Sequence, residues 1–162
     1  MYQLYTFYMP KYTNIFQFKI TLVGSRPPIW RKVLVPEEYT FFDLHVAIQD
    51  AFGWTDTHLH QFFTDNPYKR NSRFKCIAFP MPEMEDVIDE RTEKIRSHFK
   101  KAKDTLFYEY DFGDSWMHEV KLEKILPKEK EVDYPRLLDG KNACPFEDSG
   151  GLGGYYEKIE IL

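Results

Sequence analysis

The sequence has 162 residues, enough for one domain to enclose a core, and its 17% aromatic content, with 14 Phe and 11 Tyr, predicts an interior filled by rings more than by aliphatic chains. A formal charge of −4 and a pI of about 5.8 exclude a general attraction to phosphate backbones, so any nucleic-acid contact must be local. No apolar run approaches the roughly 20 residues of a membrane helix, residues 1–10 lack the features of a signal peptide, and two cysteines, Cys76 and Cys144, are too few for a disulfide framework. These features predict a cytoplasmic chain with free thiols and no membrane partner.

In chain order, Phe16, Phe18, Ile20 and Leu22 alternate with Gln17, Lys19 and Thr21, the period of a strand with one buried face. A Gly-Ser-Arg-Pro-Pro break follows, and residues 30–35 resume a β-rich run that Pro36 ends, so the two runs predict an antiparallel pair. Thr40 stands as a helix N-cap with Asp43 three residues on, and Phe41, Leu44, Ile48 and Phe52 follow at helical spacing up to Gly53. That predicts a helix over 41–52 lying across the preceding strands. Residues 58–63 read as a short strand on which His58, His60 and Phe62 share a face. A further strand is expected near 74–79. The charged stretch 83–103 keeps a sparse apolar stripe through Ile95 and Phe99 and predicts a second, exposed helix. Residues 127–140 read as loop, and the glycines at 150, 151, 153 and 154 as a flexible turn.

The segment 107–122 contains one turn signal, Gly113-Asp114, suited to a two-residue hairpin loop. On that register Asp111 faces Trp116 and Glu109 faces His118, so these four side chains share one side with Phe107 and Val120, while Tyr108 and Tyr110 point to the core. A loop longer or shorter by one residue flips the second strand's set. Two carboxylates and an imidazole beside an indole suit metal ligation, acid–base work or recognition of a cation; the plainer reading is a cross-strand polar pair.

His58 and His60 offer two more imidazoles, which with His118, Asp111 or Cys144 would make a zinc-type donor set. No HExxH, paired CxxC or EF-hand loop accompanies them, so satisfied histidines are the simpler account and the sequence specifies no cofactor. Cys144 with His118 or His58 as base would make a thiolate nucleophile. The glycines after it match neither a Walker cradle nor a dinucleotide fingerprint. Two basic clusters, Lys69, Arg70, Arg73 and Lys75, then Lys94, Arg96, Lys100, Lys101 and Lys103, read as solvated faces, with nucleic acid the alternative.

Six blocks together resemble the plasmid pRiA4b ORF-3-like family. They are Pro-Ile-Trp-Arg-Lys-Val-Leu-Val-Pro from Pro28, Asp-Leu-His-Val-Ala-Ile-Gln from Asp43, Phe-Gly-Trp from Phe52, His-Leu-His-Gln-Phe from His58, Tyr-Glu-Tyr-Asp-Phe-Gly-Asp-Ser-Trp-Met-His from Tyr108, and Cys-Pro-Phe-Glu-Asp-Ser-Gly-Gly from Cys144. The resemblance implies an α+β domain of unestablished role, often near mobile elements, and carries over no catalytic residues. Phe146 stands where the family usually has a second Pro, and the sequence ends before a helical tail that many members carry, which implies either a compact member or a cavity more open than usual.

The sequence thus predicts one α+β domain, 1–162, with an antiparallel or mixed sheet, β-grasp-like, and a helix across one face. Its expected role is a binding or interaction domain for a protein or small molecule. The residues expected at its pocket are His58, His60, Glu109, Asp111, Asp114, Trp116, His118, Cys144, Glu147 and Asp148. The alternative is a metal-assisted hydrolase or nuclease using His58, His60, Asp111, Asp114 and His118.

Overall fold

The alternation of β1, Asn14–Leu22, sends Phe16, Phe18, Ile20 and Leu22 into the core, and β2, Trp30–Pro36, pairs antiparallel to it with Phe18 opposite Val33 and Phe16 opposite Val35. The computed structural model describes residues 12–161; the stretch read above for a targeting signal lies outside them. α1, Phe41–Phe52, starts and stops where its caps dictate. Thr40 accepts from the Asp43 amide, the Asp43 carboxylate accepts from Thr40 N, and Gly53, at φ 77°, returns its amide to the Gln49 carbonyl.

β3 (His60–Phe63), β4 (Cys76–Ala78), β5 (Ile88–Asp89), β6 (Thr105–Tyr110), β7 (Trp116–Pro127) and β8 (Arg136–Lys141) complete a mixed eight-stranded sheet, ordered β5-β4-β3-β6-β7-β1-β2-β8. Only β4 and β5 run parallel among these pairs. With α1 and the second helix α2, Gly151–Ile161, this is an α+β architecture dominated by its sheet. Phe41 of α1 meets Phe62 edge-on at 5.0 Å, and Phe18 meets Phe99 at 4.7 Å, so rings share the main core with aliphatic side chains such as Ile20, Val35 and Leu44. Among the described residues no helix is long and apolar enough to cross a membrane.

Four expectations are corrected. Residues 83–103 are not a helix but β5, turns and a 3-10 turn at Ile95–Ser97. Their backbone bonds go elsewhere: Glu90 N to the Ala78 carbonyl and Ile95 N to that of Tyr39, and Ile95 and Phe99 reach the core by that route. Part of the expected loop 127–140 is β8, paired to β2. The glycine-rich turn is the start of α2, where a Cβ at Gly154 would collide with the Ser149 carbonyl and Gly151 holds a φ of 71°.

The fourth correction concerns the β6–β7 hairpin. Its loop has five residues, 111–115, not two. Ser115 N bonds the Asp111 carbonyl at 2.6 Å, and Asp111 and Ser115 both take positive φ. Tyr108 therefore faces His118, Glu109 faces Met117 and Tyr110 faces Trp116. The one-residue difference turns β7 over. Trp116 and His118 enter the core with Tyr108 and Tyr110, while Met117 joins Phe63 and Phe107 in a small cluster on the other side.

Candidate metal centre

Three loops meet at the end of the β6–β7 hairpin. Residues 54–58 follow α1, residues 111–115 form the hairpin turn, and residues 145–150 lead into α2. Trp54 Nε1 donates to the Pro145 carbonyl at 3.1 Å, and Glu147 Oε1 accepts from Thr55 N at 2.9 Å and from the Tyr110 hydroxyl at 3.0 Å. Asp114 Oδ2 accepts the Gly150 amide at 3.0 Å, tying the hairpin turn to the third loop. These bonds leave His58 facing acids.

His58 Nε2 lies 2.8 Å from Asp148 Oδ1, 3.6 Å from Asp111 Oδ2 and 4.0 Å from Glu147 Oε2. Asp111 is buried and accepts the amides of Gly113 and Asp114 with Oδ1, which turns Oδ2 toward the imidazole. Glu147 Oε2 is buried and receives no hydrogen bond. Asp148 is open, its side chain 74% exposed. One nitrogen and two carboxylate oxygens, from His58, Asp111 and Asp148, fall within 4.8 Å of one another, with Glu147 beside them. Among the described residues no lysine or arginine pairs with these acids.

A second group lies deeper. His45 of α1 stacks on His60 with centroids 3.4 Å apart and planes 6° from parallel. His45 Nδ1 meets the Tyr108 hydroxyl at 2.8 Å and Nε2 meets Asp56 Oδ1 at 2.9 Å, Gln49 bonds both Tyr108 and the Asp56 amide, and His60 Nε2 meets buried Glu90 at 2.7 Å. Because the Asp56 carboxylate only accepts, Nε2–H of a neutral His45 donates to it, the bare Nδ1 accepts from the Tyr108 hydroxyl, and the Tyr108 oxygen in turn accepts from Gln49. Burial, then the neighbouring His60, push the His45 pKa down to about 4, against the pull of Asp56. The nitrogen and oxygen atoms of His45, Asp56 and His60 also lie within 4.8 Å, but parallel rings direct their in-plane lone pairs side by side instead of at one point, and Tyr108 and Asp56 engage both nitrogens of His45. This group is a structural network.

The sequence-predicted residues thus divide. His58, Asp111, Asp114, Glu147 and Asp148 meet at one place. His60 belongs to the deeper network. His118 is enclosed by Phe52 and Trp54, at 4.8 and 5.2 Å, with Nδ1 on the Tyr108 carbonyl, and burial pushes its pKa down to about 4. It and Trp116 are core residues, not ligands. Glu109 points to the other side and accepts from Gln61 and Ser115, so the expected Glu109–His118 pair does not form. Cys144 takes a 2.8 Å contact from the Arg31 guanidinium, and burial outweighs that cation and pushes the thiol pKa up, which argues against a thiolate nucleophile. Of the basic clusters, Lys94 and Arg96 both engage Glu38. Sequence reasoning missed His45, Asp56 and Glu90; only His45 carried a signal, since it follows Phe41 by four residues and precedes Ile48 on the buried stripe.

Fold and site together define a sheet-dominated α+β protein with an imidazole–carboxylate cluster on converging loops. The model of the plasmid pRiA4b ORF-3-like protein family matches residues 14–162, and the chain belongs to that family. It is 34% identical over 153 residues to the uncharacterized protein y4hQ of Sinorhizobium fredii (strain NBRC 101917 / NGR234), covering 92% of this chain and 73% of that one. It is also similar to the crystal structure of a protein of unknown function, MM3350 from Methanosarcina mazei Go1. The identity is 39% and the TM-score 0.84, over 94% of this chain and 83% of the other.

Proposed function

We propose that this chain is a binding domain that holds a divalent cation through His58, Asp111 and Asp148, with Glu147 as a fourth donor. The observation that carries the reading is the pair of acid oxygens facing His58. Glu147 Oε2 is buried without a donor, and Asp111 Oδ2, on a side chain 9% exposed, has only the imidazole, 3.6 Å away. Crowded carboxylates repel one another and lose solvation on burial, and a cation relieves both costs. One imidazole with two or three carboxylates suits Mn²⁺, Fe²⁺ or Zn²⁺ better than Mg²⁺ or Ca²⁺, which favour all-oxygen shells. Exposure of Asp148 leaves room for a ligand group to complete the coordination.

The hydrolase reading has less support. Of His58, His60, Asp111, Asp114 and His118, only His58 and Asp111 face the common point, while Asp114 spends Oδ2 on Gly150. The test is elemental analysis of protein purified without chelator, followed by thermal melts with Mn²⁺ or Zn²⁺. A bound ion at about 100 times its Kd stabilises by roughly 2.7 kcal/mol, a rise of about 2–4 °C per kcal/mol at this size. Absence of both stoichiometric metal and any rise overturns the reading.

A further inference from the structure

A second surface is carried by strand register and is independent of the cation site. Lys32 on β2 stands directly opposite Lys19 on β1, and Lys19 directly opposite Lys121 on β7. Opposed residues share a face, and this is the face turned away from the Phe16, Phe18 and Ile20 core. Strands lie about 4.8 Å apart, so three ammonium groups stand in a row roughly 10 Å long. Like charges in opposed positions disfavour a sheet, and an arrangement serving stability alone alternates signs. The compensation here is partial. Glu123 reaches Lys32 at 3.1 Å, Asp139 stands opposite Lys32 at one end of the row, Glu119 lies in the next row opposite Thr21, and uncharged Thr105 closes the other end beside Lys121. No acid pairs with Lys19 or Lys121 among the described ion pairs.

Half-buried Trp30 stands in the row beside the lysines, opposite Thr21, with Lys19 Nζ 4.9 Å and Lys32 Nζ 5.6 Å from its ring centroid. A chain of net charge −4 that nonetheless aligns three lysines beside an indole offers local complementarity to a linear anion with π-faces. We propose that this sheet face binds single-stranded nucleic acid, the lysine row following consecutive phosphates and Trp30 taking a base. A duplex fits less well, because its bases are already stacked and offer Trp30 no free face.

The test is fluorescence anisotropy of labelled oligothymidylate titrated with the full chain at several salt concentrations. Three phosphate contacts give a plot of log affinity against log salt with a slope of about −2, and each of Lys19→Gln, Lys32→Gln and Lys121→Gln reduces its size by about 0.7. Lys69→Gln, in an exposed turn outside the sheet, leaves affinity and slope unchanged. Thermal melts give a second readout: Lys121→Gln raises Tm while weakening binding, because it removes a like-charge pair and breaks none of the described ion pairs. Failure to bind the oligonucleotide at low salt overturns the proposal. So does equal weakening by Lys69→Gln, unchanged binding by the triple variant, or a preference for duplex or for anionic phospholipid vesicles that oligothymidylate does not compete away. None of these outcomes bears on the cation site, whose metal analysis is read separately.

Discussion

His58 and His60 stand two residues apart, and each sets an imidazole nitrogen within hydrogen-bonding distance of a carboxylate, Asp148 at 2.8 Å and Glu90 at 2.7 Å. Around His60 donors and acceptors balance. Gln49, Tyr108, His45 and Asp56 close a chain of bonds, and none of these residues leaves a buried polar atom without a partner. Around His58 acceptors outnumber donors, and Glu147 Oε2 is left over. That contrast in donors and acceptors supports the cation proposed at His58, whereas the likewise unpartnered Trp116 Nε1 and His118 Nε2 lie among core rings.

The sharpest way to break the comparison is His60→Ala. It strands the Glu90 carboxylate, 1% exposed, without its imidazole. The expected cost is about 3–5 kcal/mol in urea unfolding, the range for breaking a buried pair by removing one partner. The equivalent change at the open site, His58→Ala, is expected to cost under about 1 kcal/mol, since Asp148 is solvated. Comparable losses at the two positions would erase the distinction.

Acid comes next. His118 has a pKa pushed from the ordinary 6.5 to about 4 by burial, and His45 a similar one. The folded state therefore binds fewer protons than the unfolded chain between those values. Their stabilising contribution is complete above pH 6.5 and is lost progressively as pH falls toward 4. For His118 alone this amounts to about 3 kcal/mol. Unfolding measured across that window should lose about one proton's worth of slope in His118→Phe; an unchanged slope would mean that the imidazole is not buried neutral.

Tyr108→Phe removes the hydroxyl shared by His45 and Gln49 and is expected to cost about 1–3 kcal/mol, the penalty for leaving buried polar groups unsatisfied. The smallest effect on stability belongs to Asp111→Asn. Asparagine tolerates the positive φ and keeps an oxygen for the Gly113 and Asp114 amides, so the melt without metal should move by no more than about 0.5 kcal/mol. The metal-dependent rise in Tm should nevertheless disappear. A retained rise would remove Asp111 from the ligand set.

The helix α1 was legible to the residue because its signals are local: a Thr40 cap, Asp43 in the first turn and a left-handed Gly53. The β1–β2 pairing was legible for the same reason. The hairpin register was not legible, because Gly113-Asp114 is a sufficient turn signal but not a unique one. Asp111 and Ser115 also adopt positive φ, and the wider loop moves the pairing by one residue. The helix expected over 83–103 failed where a weak stripe competed with backbone partners on β4 and beside Tyr39.

The sequence by itself determined the family, the large share of rings in the core, the helix with its caps, and which side of β6 faces inward, since each of these is encoded by local geometry or by composition. The meeting of His58 with Asp111 and Asp148, the enclosure of His118, and the alignment of Lys32, Lys19 and Lys121 were decided by tertiary structure. They depend on loop lengths and strand register between segments distant in the chain, where a shift of one residue reverses which face a side chain occupies.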